Sequence, residues 1–117
     1  MTKSDSDFTS DQPQLKQILN LALEKKASNI VALDVRGLSS LTDFFVICNG
    51  ESDPQVKAIT DNIRKGTDHK PRHLEGYESQ NWVLLDYFDV IVHIFNKEER
   101  EYYGLERLWA DAPIVEI

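Results

Sequence analysis

The sequence predicts a single α/β domain in which a mixed sheet of about five strands is flanked by helices. Its 117 residues, of which 41% are hydrophobic, fit one buried core. Two nearly continuous apolar runs, "NIVALDV" and "DFFVICNG", are typical of strands that are covered on both faces. A strand, helix, strand crossover should create a parallel pair, while a later hairpin adds antiparallel neighbours, so the sheet is expected to be mixed.

The first predicted helix lies in "QLKQILNLALEKKAS", after a polar lead-in over residues 1–13 that we expect to be disordered. Helical spacing gives it one apolar stripe, formed by Leu15, Ile18, Leu19, Ala22 and Leu23. A lysine pair follows at the carboxyl end, where positive charge suits the helix dipole. The segment is therefore predicted to be an amphipathic helix.

The second predicted helix lies in "ESDPQVKAITDNIRKG", directly after the second apolar strand. Ser52 or Asp53 can cap its first turn, Pro54 fits that turn, and Gly66 is a stop signal. One side of this helix carries the apolar residues Val56, Ile59 and Ile63.

The remaining segments predict a short strand, a hairpin and a last helix. A strand around His73 to Glu75 is followed by "WVLLD" and "VIVHIF", which are separated only by "YFD" and so should form a hairpin. Asn96 is expected to cap "KEEREYYGLERLW", with Glu99 in a capping box. The apolar stripe of that helix is Tyr102, Leu105, Leu108 and Trp109. We assign residues 14–112 to the domain and 113–117 to a short carboxyl-terminal tail.

Charge and cysteine content restrict the class of partner and the compartment. A formal charge of −7 repels phosphate backbones, so little direct nucleic-acid contact is expected, and a basic protein surface is the better match. The single cysteine, Cys48, sits in an apolar run and fits a reducing compartment. No apolar run approaches the roughly 18 residues of a membrane span, and the amino terminus does not resemble a signal peptide. These features predict a cytoplasmic protein.

Candidate catalytic and metal-binding residues are present, but their spacing favours structural roles. Asp86 and Asp89 lie three positions apart across the predicted turn, whereas carboxylates on one strand face are separated by an even number. His93 is predicted to be a hydrogen-bonded, half-buried strand residue, and His69 and His73 form only half of a zinc site. Neither nucleotide-binding glycine pattern is present, so no cofactor and no metal are predicted.

The aromatic residues of the hairpin are the strongest functional signal. Trp82 begins a hairpin strand, while Tyr87 and Phe88 occupy a turn where large rings are hard to bury. Aromatic anchors mixed with acids are typical of a protein interface. The alternative, in which Trp82 packs under the last helix and the turn rings fold back onto the sheet, is equally compatible with the sequence.

The runs "TDFFVICNGES", "HLEGYES" and "WVLLDYFDVIVHIF...REYYGLERLWADA" resemble the ribosomal silencing factor family, also called the Iojap-related family, from about Leu15 to Ala112. The resemblance implies a mixed-sheet α/β domain with a nucleotidyltransferase-like shape but no catalysis. It also implies a partner, the large-subunit ribosomal protein of the L-fourteen family. Family members on that protein block the small subunit and hold down translation when nutrients are short. Free copies are expected to pair through the same surface as a homodimer.

Carried onto this chain, the resemblance assigns partner contact to seven residues: Glu75, Gly76, Trp82, Leu84, Asp86, Tyr87 and Asp89. Many family members have glycine where this chain has Phe88, and phenylalanine disfavours positive φ, so the sequence leaves the geometry of the turn open. The rival hypothesis is a metal-dependent nucleotidyltransferase that uses Asp43, Asp86 or Asp89 with magnesium. It requires two aspartates at i and i+2 on one strand after a glycine-serine element, and the sequence has none.

Overall fold

The computed structural model describes residues 12–99 and 112–115. Two helices, α1 (Pro13–Glu24) and α2 (Asp53–Gly66), accompany one six-stranded sheet. Its strands are β1 (Ser28–Asp34), β2 (Phe44–Gly50), β3 (His73–Glu75), β4 (Trp82–Asp86), β5 (Val90–Asn96) and β6 (Ile114–Val115). The spatial order is β3-β4-β5-β2-β1-β6, in which β2 and β5 are parallel and the other neighbours antiparallel. The predicted α/β class and mixed sheet are confirmed.

The sixth strand is the element that the sequence did not reveal. Ile114–Val115 pairs with β1, with Ala32 opposite Val115 and Leu33 opposite Ile114. Two residues are too short for an alternating pattern to be recognised. The strand lies in the segment that we assigned to a tail, and the domain boundaries at 14–112 and 113–117 stay predictions.

Helix α1 buries a narrower stripe than its sequence predicted. Leu15, Ile18, Leu19 and Ala22 are buried, as expected, but Leu23 is 51% exposed, so its inclusion in the stripe was wrong. Gln55 of α2 stabilises the carboxyl end of α1. The side-chain amide of Gln55 donates to the carbonyl oxygens of Lys25 at 3.2 Å and Lys26 at 3.0 Å, which satisfies backbone acceptors that a helix end leaves unpaired.

Helix α2 follows its sequence prediction closely. Ser52 is the N-cap, with its Oγ accepting from the Gln55 N–H at 3.4 Å. The helix ends at Gly66, where an added Cβ would collide with the side chain of Leu21 on α1. This glycine therefore also permits close packing of the two helices.

Within the described residues, no helix has both the length and the apolar composition that spanning a bilayer requires.

Of the described residues, helices α1 and α2 pack on the same face of the sheet, where a large core cluster includes Val83 and Leu85 of β4. Strand β5 sends Val90, Val92 and Ile94 to that face. Its intervening residues Ile91, His93 and Phe95 belong to the opposite face, as expected for alternating side chains of a strand.

The predicted last helix begins as expected. Residues 97–99 are helical, and the N–H of Glu98 donates to Oδ1 of Asn96 at 3.2 Å. The predicted capping role of Asn96 is confirmed. The stripe formed by Tyr102, Leu105, Leu108 and Trp109 lies outside the described residues.

Gly76 permits the tight connection between β3 and β4, and we predict that Gly76→Ala will lower the free energy of unfolding by about 2 kcal/mol or more. Its φ is +76°, and an added Cβ would collide with the carbonyl oxygen of Trp82. Gly37→Ala is the matched control, because Gly37 has φ +84° but open space around it. Backbone strain alone should cost that variant about 1 kcal/mol. Urea denaturation of both variants measures the difference, and equal losses would contradict the steric argument.

Candidate docking surface

Most of the predicted contact residues come together on the sheet face opposite the helices, near the β3 edge. Strand register places Glu75 opposite Leu84 and Leu84 opposite His93. Since side chains alternate along β4, Trp82, Leu84 and Asp86 share this face with Glu75. Glu75 is exposed, and the three β4 residues are partly buried. We call these four residues the docking face.

Two further predicted residues border the docking face. Gly76 follows β3 directly, is exposed, and starts the turn in which its carbonyl oxygen accepts from the Gln80 N–H at 3.1 Å. Asp89 is exposed in the β4–β5 turn at the other end of β4. The predicted set therefore runs along β4 from one end to the other.

Trp82 is held in a defined orientation on the docking face. Its indole N–H donates to Nδ1 of His93 at 3.0 Å, and its ring stacks on Phe95 with 5.1 Å between centroids. A side chain fixed in this way loses little rotamer freedom when it meets a partner, which favours binding. The alternative in which Trp82 packs under the last helix concerns residues outside the described ones.

His93 is a buried, neutral residue that supports Trp82. It is 4% exposed, and Phe45 meets its ring edge-on with 5.1 Å between centroids. Because Nδ1 accepts the indole proton, the neutral ring carries its own proton on Nε2. Burial lowers the pKa of His93 to about 4. The predicted hydrogen-bonded role is confirmed, although the residue is buried more fully than expected.

The two aromatic residues of the β4–β5 turn differ in burial. Tyr87 is only 7% exposed, and its hydroxyl hydrogen-bonds the Thr67 hydroxyl at 3.0 Å. Of the two alternatives that the sequence left open, the one in which the ring folds back holds for Tyr87, because strand alternation continues past Asp86 and directs residue 87 into the core beneath the helices. The exposed alternative holds for Phe88, which is 59% exposed.

The backbone of the turn adopts a conformation that suits glycine. Phe88 has φ +79°, and the Asp89 N–H donates to the Tyr87 carbonyl oxygen at 3.0 Å. A hydrogen bond from residue i+2 to residue i across a positive φ defines a rare and strained form of γ-turn. The Asp86 carboxylate stabilises it by accepting from the Phe88 N–H at 2.8 Å. The sequence left the geometry of this turn open, and the structure shows that Phe88 adopts the positive φ that glycine would favour.

The three aspartates of the rival enzyme hypothesis make structural contacts, Asp86 through its carboxylate and Asp43 and Asp89 through their backbones. Asp86 accepts from Arg72 Nε at 3.2 Å in addition to the Phe88 N–H. A backbone hydrogen bond joins Asp43 and Asp89, in which the Asp43 N–H donates to the Asp89 carbonyl oxygen at 3.1 Å. His69 and His73 are both exposed. In residues 12–99 and 112–115, no three His, Cys, Asp or Glu side chains are grouped closely enough to hold a metal ion.

The sequence of the chain agrees with a known family. The model of the family described as "Ribosomal silencing factor during starvation" matches residues 8–117. The chain belongs to the ribosomal silencing factor family. The resemblance noted in the sequence is therefore confirmed.

Relatives of the chain include proteins from bacteria and plants. It is 47% identical to ribosomal silencing factor RsfS of Halalkalibacterium halodurans, over 92% of this chain and 95% of that protein. It is 44% identical to the protein of that name from Bacillus subtilis, over 87% and 92%. The chloroplastic protein Iojap of Zea mays is 38% identical over 82% of this chain and 43% of that protein.

Solved structures support the fold assignment of this ribosomal silencing factor family member. A crystal structure of a protein from Bacillus halodurans is 45% identical, with a TM-score of 0.81 over 91% of this chain and 99% of that chain. A crystal structure of protein CV0518 from Chromobacterium violaceum is 32% identical, with a TM-score of 0.82 over 85% of each chain. The mixed α/β fold is thus shared with experimentally determined structures.

Burial of neutral His93 should make stability depend on pH. Its pKa is near 6.5 when unfolded and about 4 when folded, so the unfolded chain binds more protons between these values. The stabilising contribution is complete above pH 6.5 and is lost as pH falls toward 4, by up to about 1.4 kcal/mol per unit. Urea denaturation at several pH values should therefore give a shallower slope for His93→Gln than for wild type. The control His69→Gln changes an exposed residue and should keep the wild-type slope, and parallel slopes for all three proteins would refute the prediction.

Proposed function

We propose that this protein represses translation by binding the large ribosomal subunit and sterically preventing the small subunit from joining. The observation that carries the proposal is the family match across residues 8–117, supported by relatives named ribosomal silencing factors. Binding alone is sufficient for this mechanism, so the proposal includes no catalytic step and no cofactor. We expect the protein to act in the cytoplasm during nutrient limitation.

The docking face has the chemistry that such a complex needs. Trp82 and Leu84 provide apolar, partly exposed contact area, and the carboxylates of Glu75, Asp86 and Asp89 surround it. An aromatic centre with an acidic rim complements a basic protein surface. Tyr87 was also predicted as a contact, but its buried ring supports the turn from inside, so we assign it an indirect role.

The proposed partner on the subunit is the ribosomal protein of the L-fourteen family. A net charge of −7 disfavours contact with RNA phosphates, so the protein should approach a basic protein on the ribosome rather than the RNA beside it. An interface of about 1,200–2,000 Å² is enough for a specific complex. Because the docking face is partly apolar, free copies are proposed to pair through it, and this homodimer would compete with ribosome binding.

Co-sedimentation with purified ribosomal subunits tests the proposal. The protein should travel with large subunits, and its prior addition should reduce the yield of joined ribosomes when small subunits follow. Cross-linking within the bound complex should recover the L-fourteen family protein. Absence of the protein from the large-subunit fraction at micromolar concentration would refute the proposal for this chain.

A charge reversal on the docking face should separate binding from folding. Glu75→Lys places a positive charge against the proposed basic partner, so its affinity for large subunits should fall about fivefold or more, with the largest effect at low salt. Glu24→Lys is the matched control, because Glu24 is also exposed but belongs to α1 on the other side of the sheet, where it loses only a hydrogen bond from the Asn62 amide. Binding titrations with both variants measure the effect. Equal losses would point to net charge alone and would remove Glu75 from the interface.

A further inference from the structure

The Phe88 side chain stands out because a strained backbone presents a large apolar ring to solvent. Its φ of +79° lies in the region that glycine tolerates and phenylalanine does not. The ring is nevertheless 59% exposed, so burial in the core does not offset this strain. Strained residues of this kind cluster at binding sites, where the surroundings hold them in place.

The neighbours of Phe88 fix both its backbone and its ring. Asp86 accepts from the Phe88 N–H at 2.8 Å, and the Tyr87 N–H donates to the Val90 carbonyl oxygen at 2.8 Å on the other side of the turn. The Arg72 guanidinium lies 4.7 Å from the ring centroid and is itself paired with Asp86 at 3.2 Å. Arg72 therefore covers part of the ring by a cation–π contact and limits its orientations.

We propose that Phe88 is an anchor of the docking face that inserts into an apolar pocket on a protein of the large ribosomal subunit. The inference rests on the proposed function. It extends the docking face past the end of β4, because Asp86 both belongs to that face and holds the turn. A ring with few accessible orientations loses little entropy on binding, which is the property of an interface anchor.

A protein pocket fits this position better than a nucleic-acid base. Two carboxylates, Asp86 and Asp89, adjoin the ring in sequence against the single guanidinium of Arg72, so the net negative charge would oppose the approach of phosphate groups. Stacking on an unpaired base also requires an aromatic side chain, whereas an apolar pocket accepts an aliphatic one of similar size. Replacement of the ring by leucine therefore separates the two kinds of partner.

Binding of purified large subunits by wild type, Phe88→Gly, Phe88→Asn and Phe88→Leu tests the inference, with thermal unfolding of each variant measured in parallel. Glycine and asparagine accept positive φ, so both variants should melt at or above the wild-type temperature. Both should nevertheless bind about tenfold more weakly, while leucine keeps binding within about threefold. Leu23→Ala is the matched control, since it shortens an exposed apolar side chain on α1 and should bind like wild type.

The outcomes distinguish failure of the anchor from failure of the function. If wild type does not bind large subunits, the proposed function and the anchor both fail. If wild type binds and Phe88→Gly binds equally well, only the anchor is refuted. If Phe88→Gly both melts at a lower temperature and binds more weakly than wild type, Phe88 has a structural role and the anchor is refuted. Loss of binding in Phe88→Leu as large as in Phe88→Gly would overturn the apolar pocket in favour of aromatic stacking.

Discussion

The register of the β4–β5 hairpin is the constraint on which the rest of the molecule depends. A shift of β4 by one residue against β5 would exchange the two faces of β4, sending Val83 and Leu85 to the outside and Trp82 into the core. Three hydrogen bonds in the turn oppose such a shift. The Tyr87 N–H donates to the Val90 carbonyl oxygen, and the Asp89 N–H donates to the Tyr87 carbonyl oxygen. The Phe88 N–H donates to the Asp86 carboxylate. The docking face and the core beneath the helices are therefore specified by the same three-residue turn.

The side of the sheet that carries the docking face combines apolar contact area with little buried charge. His93 is neutral there, and its acceptor nitrogen satisfies the indole of Trp82 across two adjacent strands. A charged histidine at this depth would carry the cost of removing an ion from water. The ring pair therefore joins the buried core to the face on which docking is proposed.

Much of this fold could be predicted from the sequence because the responsible signals are local. Ser52, Pro54 and Gly66 define α2, and two apolar runs separated by "YFD" define the hairpin. The features that the sequence did not predict depend on tertiary contacts. Leu23 fits a helical stripe, but it is 51% exposed while its neighbour Ala22 is buried, and β6 is too short to have a pattern of its own.

The grouping of the candidate site residues on one face was predictable to a similar extent and for similar reasons. Alternation along β4 groups Trp82, Leu84 and Asp86, and the family resemblance selected them from many polar and aromatic residues. Turn chemistry left open whether the ring of Tyr87 is exposed or folds back, and strand alternation past Asp86 buries it. The conformation of Phe88 could not be predicted, because the phenylalanine itself disfavours the φ that its neighbours impose.

The central position of β2 has a consequence for the synthesis of this protein. All seven residues of β2 are buried, and its parallel partner is β5, so Phe44 pairs with Val90 far along the chain. A growing chain can form the antiparallel β1–β2 pair early, but the other edge of β2 stays unpaired until β5 has left the exit tunnel. During that interval the chain exposes its most apolar strand edge, the kind of surface that chaperones protect from aggregation. A protein proposed to act on ribosomes thus depends on nearly complete translation of its own domain before its sheet can close.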